Sequence, residues 1–417
     1  MKIRIKFPIK IYIVLYLFVL LFSPPIIKIN IIIPLAIYSL GVMLIKYPKQ
    51  LIRTLNDRIC KKFITMVLCL LSYWLFICLI NFIGGNFVNL MNYFTSLYQY
   101  FLLFPIAFIC VLYIMILTNK HNIDIVELIK LIICAGLIEL VFCLISLIDI
   151  NIKSKLLDIM FNNTGYEQFQ SEWITSRRYY GFSNSLADLF GYGTGLLALL
   201  PFVVEGKWAF LSFPLLLVPL LNSRTGILVY LLGLFFLYIK NFYKNKRNLF
   251  KFIAIIAIFI ISSYCLYTLL LAFSPNTIEW ISNDVSSFIN SSQEGTATNL
   301  LSKSFWTFPD MFLSIFGTGH TIYGANGFDH SDVGYVNDLW KLGVVGTSSL
   351  YFAYCRFISR ARNVVRLDRI KRLLTIFEVS FFVFLIKGQY FTAHPGIIIV
   401  FLICFKIYMK GTSDANE

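Results

Sequence analysis

Apolar runs of about 20 residues recur along this sequence from one end to the other, and about 20 is the number a helix needs to cross the hydrocarbon core of a bilayer. In lipid every backbone polar group must find its partner within the protein, so a chain built of such runs folds as a bundle of helices. The runs fall roughly at 9–23, 26–45, 63–83, 97–117, 124–148, 184–204, 207–221, 224–239, 249–273, 334–355, 371–390 and 394–409, twelve in all. Hydrophobic residues make up 58% of the chain and charged residues 14%, against about 25% charged in a soluble domain. Most of the surface is therefore expected to face lipid. No stretch reads as a soluble domain, so residues 1–417 are expected to form a single integral membrane domain with two longer segments, about 149–183 and 274–333. The run after Lys10 lacks a small-residue cleavage site and ends at Ser23-Pro24-Pro25, as a retained first span does.

The formal charge of +15 would suit nucleic-acid binding in a soluble protein, but in a membrane protein the place of each cation carries the information. The alternation of twelve spans puts 27 of the 36 Lys and Arg on one side, together with both termini. The other side keeps nine: Lys28, Lys153, Lys155, Arg177, Arg178, Arg224, Lys303, Lys341 and Lys387. Cytoplasmic segments attract Lys and Arg, so both termini are expected inside and the two longer segments outside. The nine cysteines all lie in apolar runs or on basic flanks, so no disulfide framework is expected.

Because cations are sparse on the outer side, each invites a reason. Arg177 and Arg178 stand in Ser176-Arg177-Arg178-Tyr179-Tyr180-Gly181-Phe182-Ser183-Asn184, where an outer segment meets the sixth span. Arg224 stands in Leu221-Asn222-Ser223-Arg224-Thr225-Gly226, at the outer hairpin between the seventh and eighth spans. Asn222 or Ser223 is placed to cap the eighth helix, whose free N–H groups and positive dipole end would then lie beside a guanidinium, a suitable anion site. Arg grips phosphate through a planar fork, and two of them on one rim suit a diphosphate headgroup. The plainer reading is snorkelling, or an ion pair with Asp188 or Glu139. Glu139, in the fifth span, is expected to face the bundle interior.

A third region comprises Phe316-Gly317-Thr318-Gly319-His320, Asp329-His330-Ser331-Asp332-Val333-Gly334-Tyr335 and Leu342-Gly343-Val344-Val345-Gly346. Its glycines permit a tight loop that re-enters the membrane, and its carboxylates and imidazoles are candidate general bases. His320, Asp329, His330 and Asp332 match no strong metal-ligand spacing, so no metal is expected.

In order along about 170–350, these motifs resemble the bacterial O-antigen polymerases (Wzy) and the related O-antigen ligases. Arg178 to Asn184 is similar to the family's Arg-x-x-Gly-Phe stretch followed by Asn, Ser223-Arg224 to its Ser-Arg entrance, and Phe316 to Gly346 to its Phe-Gly-x-Gly and later Gly-x-x-Gly. The similar ligases carry a His eleven residues before the first Gly of that last motif, where this chain has Asp332. The departure favours a polymerase and leaves the base open.

The resemblance implies an all-α polytopic membrane glycosyltransferase, GT-C-like, in the bacterial inner membrane with its active site facing the periplasm. Its donor and acceptor would be undecaprenyl-diphosphate-linked oligosaccharides, with membrane lipid and a chain-length regulator protein as further partners, and neither a cofactor nor nucleic acid. An acceptor hydroxyl would attack the donor's anomeric carbon as undecaprenyl diphosphate leaves. Arg178 and Arg224, with Arg177, would stabilise the leaving diphosphate. Asp332, then His330 and His320, would accept the hydroxyl proton. Asn184, Tyr179, Tyr180 and Trp173 would contact sugar, although Trp and Tyr also anchor membrane interfaces. The alternatives are an O-antigen ligase, with a lipid A-core acceptor, and a lipid-linked-oligosaccharide flippase, which should show two repeated halves.

Overall fold

A computed structural model of the chain describes residues 2–85, 93–94, 96–164, 170–184, 187–242, 306–320, 331 and 333–413, with isolated positions between 257 and 282. These residues are mostly helical, with no strand among them. Most of the expected span at 249–273, most of the expected outer segment 274–333, and both Asp332 and His330 lie outside the described residues.

The first helix is α1 (Lys2–Phe22). It is followed by α2 (Ile32–Lys46) and α3 (Pro48–Asn56), bent from each other by 109°. The bend sits at Tyr47 (φ −135°, ψ 38°), since a residue before proline is pushed out of the helical region. Asp57 then caps α4 (Arg58–Ile83), accepting the Ile59 N–H at 2.8 Å. A π-helical turn over Leu97–Leu103 runs into α5 (Phe104–Lys120), and Asp124 caps α6 (Ile125–Ile148). Then come α7 (Ile150–Thr164), the short α8 (Glu172–Thr175), α9 (Ala187–Val204), a 3-10 stretch over Gly206–Leu211, α10 (Ser212–Asn222) and α11 (Arg224–Phe242). The described chain ends with α12 (Met311–Phe316), α13 (Gly334–Val364), α14 (Asp368–Phe384) and α15 (Pro395–Ser413).

Three helical stretches are long and apolar enough to cross a membrane, namely Arg58–Ile83, Leu97–Lys120 and Ile125–Ile148, and the bent pair α2–α3 would make a fourth. Shorter apolar helices cover Phe7–Phe22, Asp188–Val204, Gly206–Asn222, Arg224–Tyr238 and Pro395–Met409. The protein thus carries the transmembrane type of helix that its apolar runs predict. Two boundaries differ from expectation. The segment 149–183, expected as an outer connection, carries helix over Ile150–Thr164 and Glu172–Thr175, with α7 burying Lys153, Leu157 and Met160. The run expected to end at 355 continues to Val364 and is broken internally at Gly343 (φ 61°, ψ −177°).

The centre of the bundle is α9, packed against α6, α10, α11 and α15. Its contact with α11 is a seam of small residues. A Cβ on Gly195 would stand 2.3 Å from the Gly226 carbonyl oxygen, and one on Gly226 2.6 Å from that of Gly191. Two backbones this close set the start of α11 against the start of α9. Around the other flank of α9, Tyr192, Tyr390, Phe381 and Phe384 are fully buried and stack edge to face.

Candidate cationic site at the helix mouths

The seam brings Arg224, the first residue of α11, beside Asp188 in the first turn of α9. Thr225 Oγ1 donates to Asp188 Oδ1 at 2.9 Å. Lys387, in the turn after α14, approaches the same oxygen at 3.4 Å. Arg224 feels the attraction of Asp188 and the repulsion of Arg178. Arg224 and Lys387 therefore share the Asp188 carboxylate, and Arg178 stands close enough to Arg224 to repel it. Guanidiniums held close together against their own repulsion make a site prepared for more negative charge than Asp188 alone supplies.

Arg178 reaches this place through a clamp. The Asn222 side chain, fully buried at the end of α10, accepts the Tyr179 N–H at 2.7 Å and donates to the Tyr179 carbonyl at 2.6 Å. Asn222 is thereby spent on the 176–184 segment and on the Val218 carbonyl. It does not cap α11, and the extended Ser223 (φ −156°, ψ 124°) occupies the position before Arg224. The Arg178 Nη1 donates to Tyr180 Oη at 2.7 Å.

Gly181 turns the segment at φ +64°, where a Cβ would lie 2.4 Å from Glu139 Oε1. Phe182 N donates to that same Oε1 at 3.2 Å. Glu139 faces the bundle interior as expected, holding backbone, and its Oε2 has no hydrogen-bond partner among the described residues. Asn184 is tied by its N–H to the Phe22 carbonyl at 3.0 Å, at the end of α1.

Tyr179 and Tyr180, both expected to contact sugar, are buried, 3% exposed each. The Tyr179 ring carries the Lys153 ammonium 3.9 Å from its centroid, and Tyr180 packs edge-on to Phe190. Lys153 also donates to the Thr175 carbonyl at 2.6 Å, and burial pushes its ammonium down to about 8. Arg177 is half-buried, and Trp173 falls on the short α8.

The glycine-rich region forms a docked loop. Gly317 (φ 93°) and Gly343 meet backbone to backbone, so that a Cβ on Gly343 would lie 2.3 Å from the Ile315 carbonyl oxygen. The break in α13 frees carbonyls at Trp340 and Lys341, which accept the N–H groups of Thr318 at 2.6 Å and Gly319 at 3.1 Å. From α4, the Tyr73 hydroxyl donates to the Leu342 carbonyl at 3.2 Å and the Trp74 indole to the Gly319 carbonyl at 2.7 Å. Broken helices at membrane depth are stable only when the freed groups are repaired in this way. His320 is buried between Tyr93 and Trp340. Asp332 and His330, the other two candidate bases, lie outside the described residues, whereas Ser331 accepts from Asn337 at 2.6 Å through its carbonyl.

Two cations passed over as site candidates join the regions. Lys341, 1% exposed, donates to Gln389 Oε1 at 3.2 Å and is attracted by the buried Asp338, whose Oδ2 accepts the Tyr351 hydroxyl at 2.7 Å. Gln389 stands two residues from Lys387. The turn at 387–389 thus links the break in α13 to the Arg178–Arg224–Asp188 cluster. The cations expected on the sparser side are the available signal, since Lys341 and Lys387 are both among those nine. Compared with protein-family models, curated protein sequences and solved structures, the chain matches none.

Proposed function

We propose that the chain is a membrane glycosyltransferase, a polymerase of O-antigen or a related surface polysaccharide, joining undecaprenyl-diphosphate-linked repeat units at the periplasmic face of the bacterial inner membrane. The observation that carries this reading is the closeness of Arg178 to Arg224, with Arg224 and Lys387 sharing Asp188, where stretches far apart in sequence meet. The acceptor hydroxyl attacks the anomeric carbon of the donor, and the bond from that carbon to the diphosphate oxygen breaks. The hydroxyl proton passes to Asp332, His330 or His320, and the negative charge gained by the leaving diphosphate meets guanidiniums already in place.

The contacts of the cations support a two-sided arrangement with both termini on the cytoplasmic side. Contacts among the cations assigned to the inner side stay on that side. Lys10 pairs with Glu127, Lys120 lies over Tyr47, Arg369 pairs with Glu205 at 2.7 Å, and Lys406 donates to Asn119 at 2.6 Å. Lys153, Arg178, Arg224, Lys341 and Lys387 make their own contacts at the other set of helix ends. Such segregation is what a membrane between the two sets requires.

Complementation of a polymerase-null strain tests the reading, with lipopolysaccharide ladders compared at equal membrane abundance. The chain should restore a ladder, and Arg178→Ala together with Arg224→Ala should abolish it, leaving single repeat units on the lipopolysaccharide. Loss of all repeat units from a deletion strain of the source organism would identify a ligase instead. Full ladders from both Arg variants would remove the diphosphate site.

A further inference from the structure

At the end of the bundle remote from this mouth, an apolar crevice of about 170 Å³ opens between α4, α5, α13 and α15. Phe63, Met66, Phe104, Leu350, Phe391 and Phe401 form its walls. A smaller cavity shares Phe104, Leu350 and Phe391 with it and continues to Leu342, beside the break in α13. Along α13, Leu350 and Arg360 are ten residues apart, about 15 Å at 1.5 Å per residue. The space is thus long, narrow and apolar, and α4, which forms one wall, is only 17% buried over its apolar stretch. Its other face is left to the surrounding solvent, which for a helix of this composition is lipid.

The rim is cationic. Lys62 at the start of α4, with Arg356 and Arg360 near the end of α13, line the opening. The charge of Lys62 is crowded by Arg360, Arg58 and Arg356. The neighbouring carboxylates are engaged elsewhere: Asp57 caps α4, and Glu378 accepts from Arg362 at 2.6 Å. Among the described residues neither Lys62, Arg356 nor Arg360 forms an ion pair. The Arg356 guanidinium lies 5.7 Å from the Phe352 ring, which holds it at the outer edge of the crevice. A single cation near a helix end is ordinary snorkelling. Three that repel one another over an open apolar slot fit a ligand with a negative head and a hydrocarbon tail.

We propose that this crevice binds an anionic diacyl phospholipid, with its headgroup phosphate between Lys62, Arg356 and Arg360 and one acyl chain along Phe63, Phe104 and Leu350. The site is independent of the glycosyl-transfer reading. Full-length protein, delipidated in a neutral detergent, would be incubated with dioleoylphosphatidylglycerol or dioleoylphosphatidylcholine at equal concentration, and retained lipid counted by native mass spectrometry. Phosphatidylglycerol should be retained about tenfold over phosphatidylcholine, given the pull of each basic residue on an anionic headgroup. The Lys62→Gln, Arg356→Gln, Arg360→Gln triple variant should bring that ratio close to one, and Ala353→Trp should lower phosphatidylglycerol retention with every cation in place. If the triple variant does not survive purification, Lys62→Gln and Arg356→Gln singly should each reduce the ratio several-fold. Equal retention of the two lipids by the unaltered protein would overturn the proposal, as would an unchanged ratio in the variants. Displacement by glycerol 3-phosphate at the same concentration would reveal a simple anion site, and preferential displacement by a polyprenyl monophosphate a site for isoprenoid lipid. Either would also overturn it.

Discussion

The side-chain amide of Asn222 grips the backbone of Tyr179 with both of its polar groups, at 2.7 Å and 2.6 Å. This pairing joins the turn that carries Arg224 to the strap that carries Arg178. Asn222→Ala leaves a buried N–H and a buried carbonyl unsatisfied, at a cost of about 1–3 kcal/mol. Thermal melting should record that loss, and polymer formation should fall further than the melting shift explains, because Arg178 loses its anchor. Asn222→Asp keeps the acceptor but cannot donate to the Tyr179 carbonyl, and should behave almost as badly.

Removing a preorganised charge donor from a leaving-group site costs about 100-fold or more in rate. Arg178→Ala and Arg224→Ala should each show a loss of that order in an assay with lipid-linked repeat units, at unchanged membrane abundance. Lysine preserves charge without the planar fork, so Arg178→Lys and Arg224→Lys should recover only part of the rate. Equal rates for the Ala and Lys variants would show that charge at these positions does not act on the reaction.

Asp188→Asn removes the carboxylate shared by Arg224 and Lys387. Thr225 can still donate to the amide oxygen, whereas the attraction on Lys387 and Arg224 is lost. The variant should be less stable at low salt than at high salt, since screening relieves cation repulsion. Melting across a salt series checks this, and a salt-independent deficit would contradict the placement of the cluster.

Gly181→Ala combines a left-handed backbone with a Cβ 2.4 Å from Glu139 Oε1. Left-handed strain alone costs about 1–3 kcal/mol, so the variant should melt well below the parent. Glu139→Ala in the same chain should recover the steric part and not the backbone part. Gly343→Ala should find no such rescue, because its Cβ would meet the backbone of Ile315.

Lys153 titrates at about 8 in the folded chain, below its ordinary 10.5. Between these values the unfolded chain holds more protons than the folded one, so folding gains stability as pH rises through that window. Lys153→Met abolishes the effect. The stability of the parent relative to Lys153→Met should therefore climb from about pH 8 to about pH 10.5, in paired melting curves. A flat difference would show that Lys153 is not buried on Tyr179.

The helical class and the approximate place of the described helices were legible because lipid leaves an apolar run of this length one way to satisfy its backbone. The candidate cations were legible for a related reason: the expected alternation of spans leaves few cations on one side, so Arg178 and Arg224 stood out as residues before any contact was known. The helicity of 149–183 was harder to see, since α7 buries only one face. The break at Gly343 was also hidden. A glycine in a helical run looks the same whether or not a second backbone, here Gly317, is pressed against it.

What the order of residues determined by itself was a helical membrane protein with a few guanidiniums in unusual places, since hydropathy and charge act locally along the chain. Only the tertiary structure decided which of them meet. The close seam of Gly191 and Gly195 with Gly226, the Asn222 clamp and the 387–389 turn bring Arg178, Arg224, Lys387 and Asp188 together from four parts of the chain. Electrostatic preorganisation depends on distances across the bundle, and packing sets those distances.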